Sequence, residues 1–450
     1  MNILYLNHYA GSPALGMEFR PYYLAREWVR AGHRVQIVAA DFSHVRARQP
    51  RAGDEVIDGI AYRWLATPAY RGNGVGRVWN IACYLAQLWA QSRRLVDAFK
   101  PDVVIASSTY PMDFWVARHI ARLSRQRPGA QASSAVPAPG AKLGRGAVPV
   151  PGPELGRGAV LATGAVLVHE VHDLWPLSPI ELSGMSPSHP FIRLCQAAEN
   201  AACRDADVVV SMLPKVSGHL AAHGLDLRKL HIVPNGITPD EWPQPGQEQG
   251  ALAALRDDVA ATITQHRAAG RTVVGYAGSM GLPNALDVLL DAAALLRSEP
   301  LAFVLVGDGH ERERLARRVA DDGLANVSWL PPIPKAQIPA LLAGFDIAYI
   351  GWQRVPIYRF GIAPNKLMDY MMAGCVVLHS VDAGNDPVAE SGCGLTVAPE
   401  SPPAVADGLR RLAALPAAER AAMGERGRAF VLAHHTYPVL AQRFLQAMHR

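Results

Sequence analysis

The chain has 450 residues, half of them apolar and 18% charged, with a formal net charge of +5. That length allows two or three domains with cores of their own, and the composition excludes a disordered chain. No run of Lys and Arg marks a nucleic-acid footprint, so no nucleic acid is expected among the partners.

Five scattered cysteines (Cys83, Cys195, Cys203, Cys375, Cys393) without a CxxC argue for reduced thiols and against a disulfide frame or zinc site. The opening MNILYLNHY lacks a basic-then-apolar leader, and no apolar run reaches the ~18 residues of a spanning helix. A cytoplasmic protein is expected, and any contact with the inner membrane is then peripheral.

Asn2–Asn7 reads as a buried strand running into a Gly-containing loop. A helix over about Pro21–Arg30, closed by Gly32, and a strand at His33–Ala40 follow. This order predicts a parallel sheet with right-handed crossovers, in which ligands bind at the carboxyl ends of strands. Gly11, Gly16 and Glu18 are thereby placed near a site, although any loop uses glycine for its turns. Val56–Leu65 accommodates two short strands. RGNGVGR (Arg71–Arg77) is a basic, Gly-rich loop without the GK[ST] of a Walker motif. One amphipathic helix is predicted over about Val78–Phe99, then a strand at Asp102–Ala106 and a helix ending near Ser124.

Residues 125–164 change character. Ala, Pro, Gly and Val dominate, and LGRGAV occurs twice, at Leu143–Val148 and Leu155–Val160. Two copies of six residues do not stack into a core, so this is a low-complexity insertion, expected to be disordered. Ala165–Val171 is a strand leading into HEVHD. Alternation along it leaves His172, or Asp173 in the loop beyond, to face a cleft. A histidine satisfied inside its own loop is the plainer alternative. A helix spans about Pro190–Arg204. Asp205–Asp207 spells DxD, but between a helix end and a strand start, the wrong end of a sheet for a metal–diphosphate. It is read as structural. After His231–Val233, the turn-rich PNGITPDEWPQPG marks a domain boundary.

A second parallel series begins at Thr272. Glycine loops follow its first two strands, at Gly278–Ser279 and Gly307–Gly309, with helices at Asn284–Leu296 and from near Glu311. Val327–Leu330 and Asp346–Ile350 are further strands. Pro364–Ala373 then reads as a helix, with Pro at its first position, Leu367, Met368, Met371 and Met372 on its apolar side, and Gly374 as its stop. Lys366 sits in the first turn, where the dipole disfavours a cation. No capping side chain precedes it, and Gly361 and Ala363 leave the approach open. Free backbone N–H groups beside a lysine suit a phosphate or diphosphate. The alternative is an exposed ion pair with Asp369 at i+3, worth about 0.2–0.5 kcal/mol.

These pieces resemble the retaining glycosyltransferases of family 4. The matching stretches are GMEFR and AREWVRAGHRV, EVHDLWP, VPNGI, YAGSMG with LDVLLDA, VLVGDGHERERL and GIAPNKLMDYMMAG, covering most of the chain outside the insertion. The resemblance implies an α/β chain of GT-B fold, two Rossmann-like parallel-sheet domains facing across a cleft. These would be residues 1–236 on the acceptor side and 237–433 on the nucleotide-sugar side, with 434–450 a helix crossing back to the first. It implies a nucleotide-diphosphate sugar donor, UDP-linked, and a lipid-linked or saccharide acceptor. Transfer would retain the anomeric configuration, with no cofactor and no metal. The flavour is that of the branch moving amino or N-acetylated sugars in surface-polysaccharide assembly.

Residue by residue, Asp369 takes the place of the ribose-holding second carboxylate of the family's E-x7-E motif, and Gly361 that of the first, sugar-gripping glutamate. The family's diphosphate Arg and Lys fall on Ser279 and Asn284, so Lys366 with Asn365 is expected to supply that charge. Gly16, Gly278, Ser279 and Gly307 complete the expected donor site. His172 corresponds to the first-domain residue near the transferred sugar, with Asp173 beside it, and Glu18 and Arg20 are acceptor-side candidates. Two rivals share the architecture: a UDP-sugar 2-epimerase, and a non-catalytic nucleotide-sugar-binding subunit, which Gly361, Ser279 and Asn284 favour.

Overall fold

The computed structural model describes residues 1–16, 19–72, 74–126, 164–243 and 254–449. Its first sheet has eight strands, β1 (Asn2–Leu6), β2 (Arg34–Ala40), β3 (Gly53–Ile57), β4 (Ile60–Leu65), β5 (Val103–Ala106), β6 (Val166–Val171), β7 (Val208–Ser211) and β8 (Leu230–Ile232). They lie in the order β3-β4-β2-β1-β5-β6-β7-β8. Only the β3–β4 hairpin is antiparallel, and it closes the edge with charge, Arg63 pairing Asp54 at 2.7 Å. Inner strands such as VVIA and VVVS are buried at every residue, because helices cover both faces of a parallel sheet.

The sheet continues directly across the low-complexity stretch, with β5 and β6 paired from Val103↔Val166. Arg125 clasps the junction, donating to the Ala165 carbonyl at 3.0 and 3.2 Å and pairing Asp207 at 2.5 Å. The two LGRGAV copies, and with them the expectation of disorder, lie outside the described residues.

A second sheet contains β9 (Thr272–Ala277), β10 (Leu301–Val306), β11 (Val327–Leu330), β12 (Ile347–Gly351), β13 (Val376–Ser380) and β14 (Gly394–Thr396). The order β11-β10-β9-β12-β13-β14 is that of a doubly wound dinucleotide-type sheet, whose ligand crevice opens where the winding reverses, between β9 and β12.

Two helix expectations are corrected. The single helix over about Val78–Phe99 is two, Val75–Ala90 and Ser92–Phe99, separated at Gln91. The Ser92 hydroxyl donates back to the Leu88 carbonyl at 3.0 Å, a local bond that competes with continuous helix, and the second piece buries Leu95, Val96 and Phe99. The helix expected over Pro364–Ala373 runs Asn365–Met372: Pro364 keeps an extended ψ of 127° and stands just before the first turn.

The last helix, Tyr437–Met448, packs on the first domain. Trp28 donates its indole N–H to the Ala441 carbonyl at 3.1 Å, and its ring meets Phe444 edge-on at 5.2 Å. The domains also meet where Val355, Tyr358 and Phe360 press on the first-domain core, and where Arg359 grips Glu181 at 2.7 and 2.9 Å. Phe444 is fully buried at this return crossing. Phe444→Ala is expected to cost about 3–5 kcal/mol of stability, read as a lowered denaturant midpoint with an unchanged slope.

Candidate functional site

The first-domain half is built around Glu170, fully buried near the end of β6. Its Oε1 accepts from Arg20 at 2.8–2.9 Å, and its Oε2 from the Tyr5 hydroxyl at 2.5 Å and the Ser107 hydroxyl at 2.6 Å. Burial alone would raise the carboxyl, but the Arg20 guanidinium and then His172 hold it well below the usual carboxylate range. His172 is half-buried, and its Nε2 lies 2.7 Å from Ser107 Oγ and 3.2 Å from Glu170 Oε2. Since Ser107 donates to Glu170, the network assigns the Nε2–H as donor to Ser107, so any lone pair the ring offers lies on Nδ1.

Arg20, expected on the acceptor side, has another task. It is buried, and beyond Glu170 its guanidinium donates to the carbonyls of Val233 and Pro234 at 2.7 and 2.6 Å. It bolts the first helix to β6 and to the domain boundary, with four of its five N–H donors engaged inside the protein. Asp173 turns into its own loop, its Oδ1 accepting from the Leu174 N–H at 2.9 Å and the Ser178 hydroxyl at 2.5 Å. Gly16 holds φ +77°, and a Cβ there would come within 3.0 Å of the Ala47 side chain. Glu18 lies outside the described residues. The DxD carboxylates are structural pairs, Asp205 with Arg118 and Asp207 with Arg125.

Glu170 is the residue that sequence reasoning passed over. An acid inside an apolar strand, two residues from His172 and on its face, was the available signal. Its partner Arg20, 150 residues away, gave none.

The second half lies at the β9–β12 reversal. Lys366 donates to the Tyr276 hydroxyl at 2.6 Å and to Asn284 Oδ1 at 3.0 Å, and its ammonium stands 4.1 Å above the Tyr276 ring. Gly278, with φ +142°, makes room for it, since a Cβ would sit 2.9 Å from Lys366 Cε. Any Cβ at Gly307 would in turn strike the Gly278 carbonyl, so the two glycine loops nest. The Ser279 carbonyl accepts from the Tyr276 hydroxyl at 2.5 Å. Asn365 is exposed at the helix start, which no side chain caps.

Among the described residues, no ion pair joins Lys366 to Asp369. Burial lowers the Lys366 ammonium to about 7. Burial raises the Asp369 carboxyl to about 7 as well, with Lys335 pulling it down and Glu241 pushing it up. Two groups of opposite charge, one turn apart, thus stay apart and poorly compensated. Such sites are shaped for something else. At Gly361 the structure explains the missing glutamate. Its φ is +98°, and a Cβ would meet Pro214 of the first domain at 2.5 Å and Asn385 Oδ1 at 2.9 Å. The domain junction occupies the space a side chain there would need.

Residues 16–133 match the glycosyl transferase 4-like domain, and residues 271–414 match the family of glycosyl transferases group 1. Each half of the chain thus matches a glycosyltransferase domain. Over 150 residues, 32% of this chain and 36% of the relative, it is 29% identical to WcaI of Escherichia coli (strain K12), named as a colanic acid biosynthesis glycosyl transferase. Over 140 residues, 30% of this chain and 34% of the relative, it is 25% identical to WbjE of Pseudomonas aeruginosa, named as a glycosyltransferase. The chain therefore spans about a third of the length of the curated relatives it matches.

Among solved structures, sucrose-phosphate synthase from Thermosynechococcus elongatus superposes with a TM-score of 0.68 at 17% identity, covering 99% of this chain and 98% of that one. Anabaena HepE, solved in complex with UDP and glucose, gives 0.62 at 16% identity, with coverage of 99% and 98%. WaaG, a glycosyltransferase involved in lipopolysaccharide biosynthesis, gives 0.60 at 14% identity and 98% of each chain. At these identities the likeness shows the fold.

The Lys366 geometry has a pH signature. The ammonium is charged below about 7 and loses its proton as the pH rises through that value. In the ribose-holding role expected for it, Asp369 would affect UDP and uridine alike, so the ratio of UDP to uridine affinity isolates the lysine. That ratio is expected to fall above about pH 7, by up to ~tenfold per unit. Lys366→Met should weaken UDP roughly 10- to 150-fold, spare uridine and flatten the profile, because a charge-assisted hydrogen bond is worth about 1.5–3 kcal/mol. Calorimetric titration of both ligands from pH 6 to about 9 is the check.

Proposed function

We propose that the protein transfers a hexosyl or N-acetylhexosaminyl unit from a UDP-sugar to a lipid-linked or saccharide acceptor in cell-envelope polysaccharide assembly, with retention. The observation that carries this is the pair Lys366 and Asp369: two half-buried, mutually unpaired charges at the winding reversal, beside nested glycine loops. The pair has the spacing to take a diphosphate at the helix start and ribose hydroxyls one turn on. The UDP complex of HepE and the polysaccharide role in WcaI's name support the donor and the setting.

In this reading Lys366 and the uncapped N–H groups stabilise charge on the leaving diphosphate, with no call on a metal. The bond from the anomeric carbon to the phosphate oxygen breaks while the acceptor oxygen bonds to that carbon on the same face. The acceptor's proton passes to the departing phosphate oxygen. His172 Nδ1 accepts from a sugar hydroxyl and positions the ring. Glu170, with both oxygens engaged, is held out of the chemistry.

Contact with the membrane is read as peripheral. No helix of the described residues is long and apolar enough to cross one. The Val75–Ala90 helix instead exposes Val75 (84%), Trp79 (62%) and Trp89 (51%) along one stripe, with Arg71, Arg93 and Arg94 exposed at its ends. Indoles beside arginines suit the headgroup layer of an anionic bilayer. Sedimentation with vesicles containing anionic lipid should carry the parent down and leave the Trp79→Ser, Trp89→Ser double variant in solution; equal sedimentation of the two removes this surface.

The activity is tested with a panel of UDP-sugars and a lipid-linked acceptor, reading product and anomeric configuration by NMR. His172→Ala should lower kcat well beyond tenfold while binding UDP like the parent. An epimerised UDP-sugar without acceptor would establish the 2-epimerase instead. Binding without turnover of any donor would establish a non-catalytic subunit.

A further inference from the structure

On the flank of the first domain, the helix Pro190–Asp205 and the short helix Ser217–Ala222 bring Glu199, His219 and His223 together. One ligand-capable atom of each lies within 4.8 Å of the others. The two histidines stand at i and i+4, one turn apart, so both rings point toward the neighbouring helix. Nothing in the sequence advertised this cluster, because Glu199 and His219 are 20 positions apart.

The hydrogen bonds assign the lone pairs. His219 Nε2 lies 2.8 Å from Glu199 Oε1. The Gln196 amide N–H donates to Glu199 Oε2 at 2.8 Å and to Asn200 Oδ1 at 2.9 Å. Asn200 Oδ1 is therefore an acceptor; His223 Nδ1 lies 2.9 Å from it and 3.1 Å from the Gln196 amide nitrogen, and with both Gln196 hydrogens given to Glu199 and Asn200, Nδ1 is the donor to Asn200. That tautomer leaves the lone pair of His223 on Nε2, which faces Glu199 Oε2 across 3.9 Å. The gap is too long for a hydrogen bond. Atoms bound to one tetrahedral zinc at ~2.0 Å stand ~3.3 Å apart, so small adjustments close the set around an ion.

Charge points the same way. Glu199 is 3% exposed, and among the described residues no Lys or Arg pairs with it; its ionic partners are the two histidines. A buried carboxylate flanked by two imidazoles, with no Lys or Arg beside it, is the kind of donor set a dication binds. We propose that Glu199, His219 and His223 form a site for one divalent transition-metal ion, zinc by ligand type, with a fourth position open to water. Two imidazole nitrogens and one carboxylate suit zinc, and Asn200 fixes the orientation of a ligating ring from behind, as outer partners of zinc-bound histidines do.

The site is separate from the sugar-transfer centre and does not depend on that reading. Its place suggests what it steadies. The His219 ring meets Phe360 edge-on at 5.4 Å, and the Phe360 carbonyl accepts from the Lys215 N–H at 2.9 Å. An ion here would stiffen the first-domain surface on which the second domain's Pro356–Phe360 segment rests.

The test uses the full chain, stripped with EDTA and titrated with zinc against a chromophoric chelator, together with cobalt spectra and melting curves. One equivalent should bind at micromolar or lower concentration and raise Tm. His219→Ala and His223→Ala should each weaken binding at least ~tenfold, and Asn200→Ala roughly 10- to 100-fold. Cobalt should give the visible bands of a four-coordinate nitrogen–oxygen site in the parent, a reading that needs no variant to fold. Failure to compete with the chelator overturns the proposal. So does a thiolate-to-cobalt charge-transfer band, or unchanged affinity in both histidine variants.

Discussion

One buried ion pair holds the first domain's half of the cleft in shape. Glu170 and Arg20 are both shut away from water, and neither is tolerable without the other. Around them the Tyr5 and Ser107 hydroxyls and two carbonyls at the domain boundary take up most of the remaining hydrogen-bonding capacity. The pair thereby joins three strands, the first helix and the start of the connection to the second domain. His172 takes its orientation from the same network through Ser107. A half-buried histidine is thus aimed by charges sealed away from water.

The second domain uses the opposite device. Lys366 and Asp369 are left without each other, so their desolvation stays largely uncompensated in the free protein. A ligand of the proposed kind, anionic and rich in hydroxyls, would meet that uncompensated charge at one helix start. Gly278 and Gly307 are the steric condition for this arrangement, because side chains at either would push the lysine or the neighbouring loop aside.

The fold was largely legible from the chain because strands buried on both faces write themselves as unbroken apolar runs, and glycine loops mark their ends. The break at Gln91 was less so, since a serine back-bond is only one of several fates open to Ser92 in an amphipathic stretch. Lys366, Asp369 and His172 were legible as candidates from local chemistry. Whether Lys366 and Asp369 pair was not, for that depends on how Tyr276 and Asn284 arrive from another strand's loop. Arg20 misled for the same reason: an arginine after a glycine loop looks available until its distant carboxylate is seen. Gly361 looked like a lost function in sequence, and in three dimensions it is a close approach of two domains.

The clasp at Arg125 has an implication for how the chain can grow. Its bonds to the Ala165 carbonyl and to Asp207 bring residues 125 and 165 together on the rim of the sheet, so β6 docks on β5 whatever length of chain lies between them. For an unstructured segment whose ends are already fixed, doubling the length adds only about 0.6 kcal/mol of closure entropy. A guanidinium on a helix end thus turns one crossover into a port, a place where sequence can be added without rewriting the sheet.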